Sequence, residues 1–216
     1  GYGCTESCGG LTLFTAADHD RALAENPDLL SSAGRPALGT EVRVVDEQGR
    51  DCPPGAVGEI IARGPQLMTG YWNLPDATAE ALQDGWLHTG DAGTFDQEGY
   101  LYIKDRVKDM IVSGGENVYP AEVEHVLIEH ASVADVAVIG VPDDRWGEAV
   151  KACVVPAPDT TVDPDDLVDF CRERLAGYKT PKSVDLLDEL PRNASMKVLK
   201  TELRAPYWEG HERAVH

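Results

Sequence analysis

Four short stretches carry residue types that could do chemistry. Tyr2-Gly3-Cys4-Thr5-Glu6 sets an aromatic ring, a glycine, a hydroxyl and a carboxylate side by side. Such a set could stack a base, touch a phosphate and hold Mg2+; it reads equally as a Gly-rich loop. Trp86-Leu87-His88-Thr89-Gly90-Asp91 follows a tight turn with a carboxylate suited to a ribose diol, although Asp is also a common turn residue. The stretch from Tyr102 to Asn117 is dense in charge and includes Gly114-Gly115. A glycine pair with exposed N–H groups lets a ligand approach the backbone closely; a solvated linker has the same composition. Pro191 to Lys200 sets Lys197 just before a helix, from where it could cross a cleft to a phosphate or carboxylate, or be one surface lysine among several.

The elements that must position these residues fall into two halves. In the first, residues 1–10 are small and Gly-rich and read as a loop. Residues 41–46 and 57–63 read as strands joined by a turn at Pro53-Pro54-Gly55. Pro75 opens a short helix to about Leu82, ended by Gly85-Trp86. Short strands follow near Leu87–His88 and Tyr100–Lys104. This half is expected to be a β-rich sheet or barrel. After Asp105 the pattern changes. A strand or hairpin over Val107–Ser113 closes on Gly114-Gly115, and Pro120 sits at the first turn of a helix, where a missing N–H costs nothing. Val123, Val126, Leu127 and His130 share one face of it. Val133–Gly140 and Ala149–Val155 are apolar strands. Asp163 caps a helix with Leu167, Phe170, Cys171 and Leu175 as its apolar stripe. A strand near Ser183–Leu187 and a short helix near Val198–Leu203 follow. The fold class is α+β: a β-rich region over residues 1–105, then a small α+β domain over 106–216.

Charge and cysteine content narrow the function classes. With 19 basic and 38 acidic residues the formal charge is −19, which argues against a general nucleic-acid binder. Yet 13 of the 19 Lys and Arg lie in residues 106–216, so a polyanion could be met locally. Five cysteines without a CxxC pattern fit a reducing cytoplasm. The tail from His211 to His216 sets its second histidine one position too late for a zinc-binding HExxH. No apolar run approaches the ~20 residues of a bilayer span.

Singly these signals are weak, but their order and spacing over the whole chain, from YGCTE through GWLHTGD and KDRVKDMIVSGGENVYPAEVE to NASMKVLK, resemble the adenylate-forming superfamily of acyl-CoA synthetases, peptide-synthetase adenylation domains and luciferases. SGGENVYPAEVE looks like the acyl-CoA synthetases. The resemblance implies the end of a large domain followed by a small, mobile AMP-binding lid. It also implies ligation of a carboxylic acid, expected to be a fatty acid, to coenzyme A through an acyl-adenylate, with ATP, AMP and Mg2+ bound on the way. Carried over, Tyr2 packs on adenine with Gly3 beside it, Thr5 contacts a phosphate and Glu6 binds Mg2+. Asp91 holds the ribose hydroxyls, with Arg106 next to it. Lys108 stands at the hinge for domain alternation. Gly114, Gly115 and Glu116 line the CoA path, and Lys197 is the adenylation lysine. A carrier-protein acceptor, or a nucleotide- or CoA-binding module without catalysis, are the alternatives. Two positions depart from the pattern: Met196 stands where Gly is usual, and His88 where Arg or Tyr is commoner, the latter with little expected consequence. The phosphate loop and most of the acyl pocket lie upstream in this family, so the chain by itself is expected to be inactive.

Overall fold

A computed structural model describes residues 1–211. The second histidine of the His211–His216 tail lies outside the described residues. The chain forms two compact units, Gly1–Val107 and Lys108 onward.

The first unit opens on β1 (Tyr2–Cys4), a 3-10 turn (Thr5–Ser7) and β2 (Gly9–Leu13). The loop expected over residues 1–10 is therefore a strand pair. Glycine permits it: a Cβ on Gly3 would lie 2.3 Å from the Gly9 carbonyl oxygen, so only Gly allows the two backbones to approach. Next comes α1 (Ala16–Ala24), then β3 (Arg35–Pro36), which pairs with β2. The Thr15 hydroxyl accepts the Asp18 N–H at 3.2 Å, and the Asp18 carboxylate accepts the Thr15 N–H at 2.8 Å, the reciprocal pattern of a capping box.

Asp18 does more than cap. Its carboxylate is 4% exposed. It accepts the Tyr100 hydroxyl at 2.6 Å and pairs with Arg35 at 3.0 Å. The Thr15 hydroxyl foremost, then that of Tyr100, holds its pKa well below the usual carboxylate range.

A five-stranded antiparallel sheet follows. It is built from β4 (Glu41–Val45), β5 (Gly58–Arg63), α2 (Pro75–Ala81) with β6 (Leu82–Gln83), β7 (Trp86–Phe95) and β8 (Leu101–Arg106), in strand order β4-β5-β7-β6 with β8 on β7. Asp84 and Gly85, at φ 50° and 81°, make the tight hairpin turn between β6 and β7. The short strand expected at Leu87–His88 is one long strand that runs on through Gly90 and Asp91. Val44, Ile60 and Leu101 form its core.

In the second unit a 3-10 turn at Val107–Asp109 leads to β9 (Ile111–Ser113) and β10 (Glu116–Val118), a hairpin turned by Gly114 and Gly115 at φ 63° and 85°. α3 (Pro120–Ile128), β11 (Val133–Asp143), β12 (Gly147–Pro156), α4 (Pro164–Arg172), β13 (Ser183–Leu186) and α5 (Lys200–Trp208) complete it. β13 lies parallel to β12. Successive side chains of a strand point to opposite faces. Val136 and Val138 thus join Val123, Leu127, Leu167 and Cys171 on one face, and Ala137, Ile139 and Val141 join Leu190, Leu203 and Tyr207 on the other. Burial on both faces is why β11 reads as an apolar run from Val136 to Val141. His130, expected on the α3 face, lies past the helix end and stacks edge-on against Phe170. α5 continues five residues past the expected Leu203 despite Pro206, because its side chains are anchored to the sheet.

Replacing Asp18 by Asn should lower the unfolding free energy by on the order of 2 kcal/mol at neutral pH, since charge-assisted bonds at a buried carboxylate are lost. A carboxyl with a depressed folded pKa contributes stability that is complete above its unfolded value of about 4 and is lost as pH falls below it. Denaturant unfolding at several pH values should therefore show the wild type losing stability below about pH 4 and the Asn variant losing less.

Candidate nucleotide and lysine sites

In the first unit β7 and β8 hold Asp91 directly across from Arg106. The Arg106 Nε lies 2.9 Å from Asp91 Oδ1. From β1, the Tyr2 hydroxyl donates to Asp91 Oδ2 at 2.6 Å. Burial first, then this bond, pushes the Tyr2 phenol far above its ordinary range. An aromatic face, a carboxylate 15% exposed and a guanidinium half in solvent are thus gathered at one place.

The turn that carries Asp91 is fastened from β5. Glu59 accepts the Gly90 N–H at 3.1 Å through one oxygen and meets His88 Nδ1 at 2.8 Å through the other. The Thr89 hydroxyl donates to the Ile60 carbonyl at 2.6 Å and accepts the Asp91 N–H at 3.1 Å. Gly90 turns at φ 69°. His88, for which little consequence was expected, is therefore part of this clamp, and Glu59 went unnoticed in the sequence.

Glu6 follows β1 on the 3-10 turn, with Thr5 exposed beside it. Its carboxylate accepts the Tyr71 hydroxyl at 2.8 Å. That bond most, with the Arg106 charge adding a little, holds the Glu6 carboxyl below its usual range. Among the described residues no group of three or more His, Cys, Asp or Glu could hold a metal. Glu6 alone suits Mg2+ bound by one carboxylate, substrate phosphates and water.

In the second unit Gly114 and Gly115 form the exposed turn and Glu116 opens β10. A Cβ on Gly114 would lie 2.7 Å from the Trp146 ring, and the Gly114 N–H donates to the Trp146 carbonyl at 2.8 Å. Trp146, 41% exposed, carries the Arg145 guanidinium 4.5 Å from its ring centroid. This neighbour of the glycine pair was not singled out from the sequence, because it arrives from the β11–β12 turn.

Lys197 is exposed, and its ammonium has no partner among the described residues. Its loop is not slack. Asn193 Oδ1 accepts the Ser195 and Lys197 N–H groups, both at 3.0 Å, and Arg192 donates to the Met196 carbonyl at 2.6 Å while pairing with Asp135. Beyond it α5 is anchored by Lys200 to Glu124 at 2.8 Å and Arg204 to Asp109 at 2.9 Å. Tyr207 bonds to Asp185, and Trp208 Nε1 donates to the Gly140 carbonyl at 3.0 Å. The result is a cation with a fixed base and a free head. Met196 sits in the left-handed region at φ 62°. Lys108 begins the second unit.

The AMP-binding enzyme family matches residues 1–72, and the AMP-binding enzyme C-terminal domain matches residues 122–197. The chain is 52% identical over 205 residues to a feruloyl-CoA synthase from an Amycolatopsis species, covering 94% of this chain and 40% of that protein. It is 46% identical to the fatty acid–[acyl-carrier-protein] ligase ScoC of Streptomyces coeruleorubidus, covering 100% of this chain and 41% of that one. Among solved structures, o-succinylbenzoate CoA synthetase (MenE) from Bacillus subtilis with its acyl-adenylate superposes with a TM-score of 0.84 at 42% identity, covering 94% of this chain and 40% of that chain. The chain belongs to the adenylate-forming superfamily of AMP-binding enzymes, in its AMP-forming acyl-CoA synthetase family. It spans about 40% of the length of the relatives it matches.

Left-handed backbone costs a residue with a Cβ about 1–2 kcal/mol, and glycine nearly nothing. Met196→Gly should therefore raise the unfolding free energy by up to about 1 kcal/mol once glycine's added unfolded-state entropy is offset, measured by denaturant melts.

Proposed function

We propose that the chain is the nucleotide-holding and lid portion of an ATP-dependent carboxylic acid–CoA ligase. Residues 1–105 would close the large domain, and 106–216 form the small AMP-binding lid that turns about Lys108 between two half-reactions. The observation that carries the reading is the Tyr2–Asp91–Arg106 cluster, a ring beside a carboxylate whose orientation is already fixed. In this reading the Tyr2 ring packs on adenine beside Gly3, and the Asp91 carboxylate accepts from the ribose hydroxyls. Thr5 contacts a phosphate. Mg2+ would be held by Glu6 and would offset charge on the ATP phosphates.

In the first half-reaction a substrate carboxylate oxygen bonds to the α-phosphorus and the bond to the β-phosphate breaks, giving acyl-adenylate and pyrophosphate. Negative charge builds on the phosphate oxygens. The Lys197 ammonium, which has no partner among the described residues, is the group this chain offers to stabilise it. In the second, the CoA thiol gives up its proton to solvent as its sulfur bonds to the acyl carbon, the acyl C–O bond breaks, and AMP leaves with the electron pair. Gly114, Gly115 and Glu116 line the approach of the pantetheine arm, where glycine leaves the backbone open.

A fatty acid is the proposed substrate, supported by the ScoC likeness; feruloyl-CoA synthase and o-succinylbenzoate CoA synthetase point to aryl acids as the competing class. The ScoC match also favours a second reading for the acceptor, a carrier-protein thiol. The cysteine usage supports a cytoplasmic setting.

In the full-length enzyme, acid-dependent pyrophosphate release measured across a panel of acids should fall about 10²–10³-fold in Lys197→Ala. AMP release should require CoA; release that needs a carrier protein instead would select the second reading. The isolated chain should show no acid-dependent release, and turnover above its own Lys197→Ala control would contradict that.

A further inference from the structure

We propose that Tyr71 positions the Glu6 carboxylate for the metal and phosphate end of the nucleotide site, an inference that rests on Glu6 being the Mg2+ ligand as read above. Two bonds join the loop after β5 to the turn that carries Glu6. The Met68 N–H donates to the Glu6 carbonyl at 2.7 Å and fixes its backbone. The Tyr71 hydroxyl donates to Glu6 Oε1 at 2.8 Å and fixes the plane of its carboxylate.

Tyr71 is itself held from behind. Its N–H donates to Thr78 Oγ1 at 2.9 Å, and the Thr78 hydroxyl donates to the Leu74 carbonyl at 2.8 Å. Gly70 makes this approach possible: at φ 150°, a Cβ there would lie 2.8 Å from Thr78 Cγ2. The first turn of α2 thus sets Tyr71, and Tyr71 sets Glu6.

The ring is 36% exposed, so it packs too loosely to be explained as core. What it contributes is the hydroxyl. Mg2+ demands near-ideal octahedral geometry, so a lone carboxylate serving it gains from a neighbour that fixes its orientation without touching the metal. Tyr71 is therefore a positioning residue, acting through Glu6.

The test uses the full-length enzyme with Mn2+ as the probe metal. Mn2+ affinity is read by electron paramagnetic resonance in the presence of ATP, and AMP affinity by calorimetry without metal. Tyr71→Phe keeps the ring and removes the donor. It should weaken Mn2+ binding about 10-fold and leave AMP affinity unchanged. Thr78→Val, which loosens Tyr71 from behind, should shift Mn2+ binding in the same direction by less. Glu6→Gln should weaken Mn2+ at least as much as Tyr71→Phe, and adding Tyr71→Phe to it should change nothing further. Unchanged or tighter Mn2+ binding in Tyr71→Phe, while Glu6→Gln weakens it, would overturn the role of Tyr71 alone. Undiminished Mn2+ binding in Glu6→Gln would overturn the reading of Glu6, and this inference with it.

Discussion

The carboxylate of Asp91 has both oxygens engaged, one by Arg106 across the β7–β8 ladder and one by the Tyr2 hydroxyl from β1. Most of the first unit's local architecture follows from the need to hold that group. β8 must pair in register so that Arg106 faces it. Glu59 must come from β5 to fasten the Gly90 turn. β1 must lie close on β2, which only glycine at position 3 allows. A carboxylate whose partners are all supplied by backbone-fixed elements would need little reorganisation to accept the ribose diol proposed for it, and such preorganisation makes a few polar contacts specific.

The proposed adenylation role asks something different of the second unit: Lys197 is fixed at its base, and its ammonium has no partner among the described residues. The sheet buries both faces, with α3 and α4 on one side and α5 on the other. α5 is then secured at four points from Lys200 to Trp208. This anchoring explains why a helix with an internal proline continues at all, since Pro206 removes one N–H and crowds the preceding turn. The loop before it is drawn tight by Asn193 and Arg192, which leaves Met196 in a conformation glycine would adopt without strain.

Much of this was legible in the sequence where the signal is local. The strands near residues 41–46 and 57–63, the Pro120 helix start, the Asp163 cap and the Gly114-Gly115 turn all depend on neighbours in the chain, although the strand expected from Val107 begins only at Ile111, after a 3-10 turn. The site residues Tyr2, Asp91 and Arg106 do come together, though their meeting was implied by resemblance and not by spacing. Other features were less visible. Helix α1 was missed although Thr15 and Asp18 form its capping box, because the signal uses Asp where Glu is the usual mark. The full length of β7 was hidden by Gly90, which reads as a turn until Glu59 is seen holding it in the sheet. Tyr71 and Glu59 were invisible for a physical reason: each acts on a residue 31 to 65 positions away, through contacts that exist only once the sheets have formed.

The central claim is that the first unit's fixed carboxylate recognises the ribose of an adenine nucleotide. The most direct measurement is calorimetric titration of the full-length protein with AMP and with 2′,3′-dideoxy-AMP, for the wild type and Asp91→Asn. Two hydrogen bonds to a charged acceptor are each worth about 1.5–3 kcal/mol, so AMP should bind the wild type at least about 100-fold more tightly than the dideoxy nucleotide, and Asp91→Asn should erase most of that difference. Equal affinity of the wild type for the two nucleotides would contradict the account.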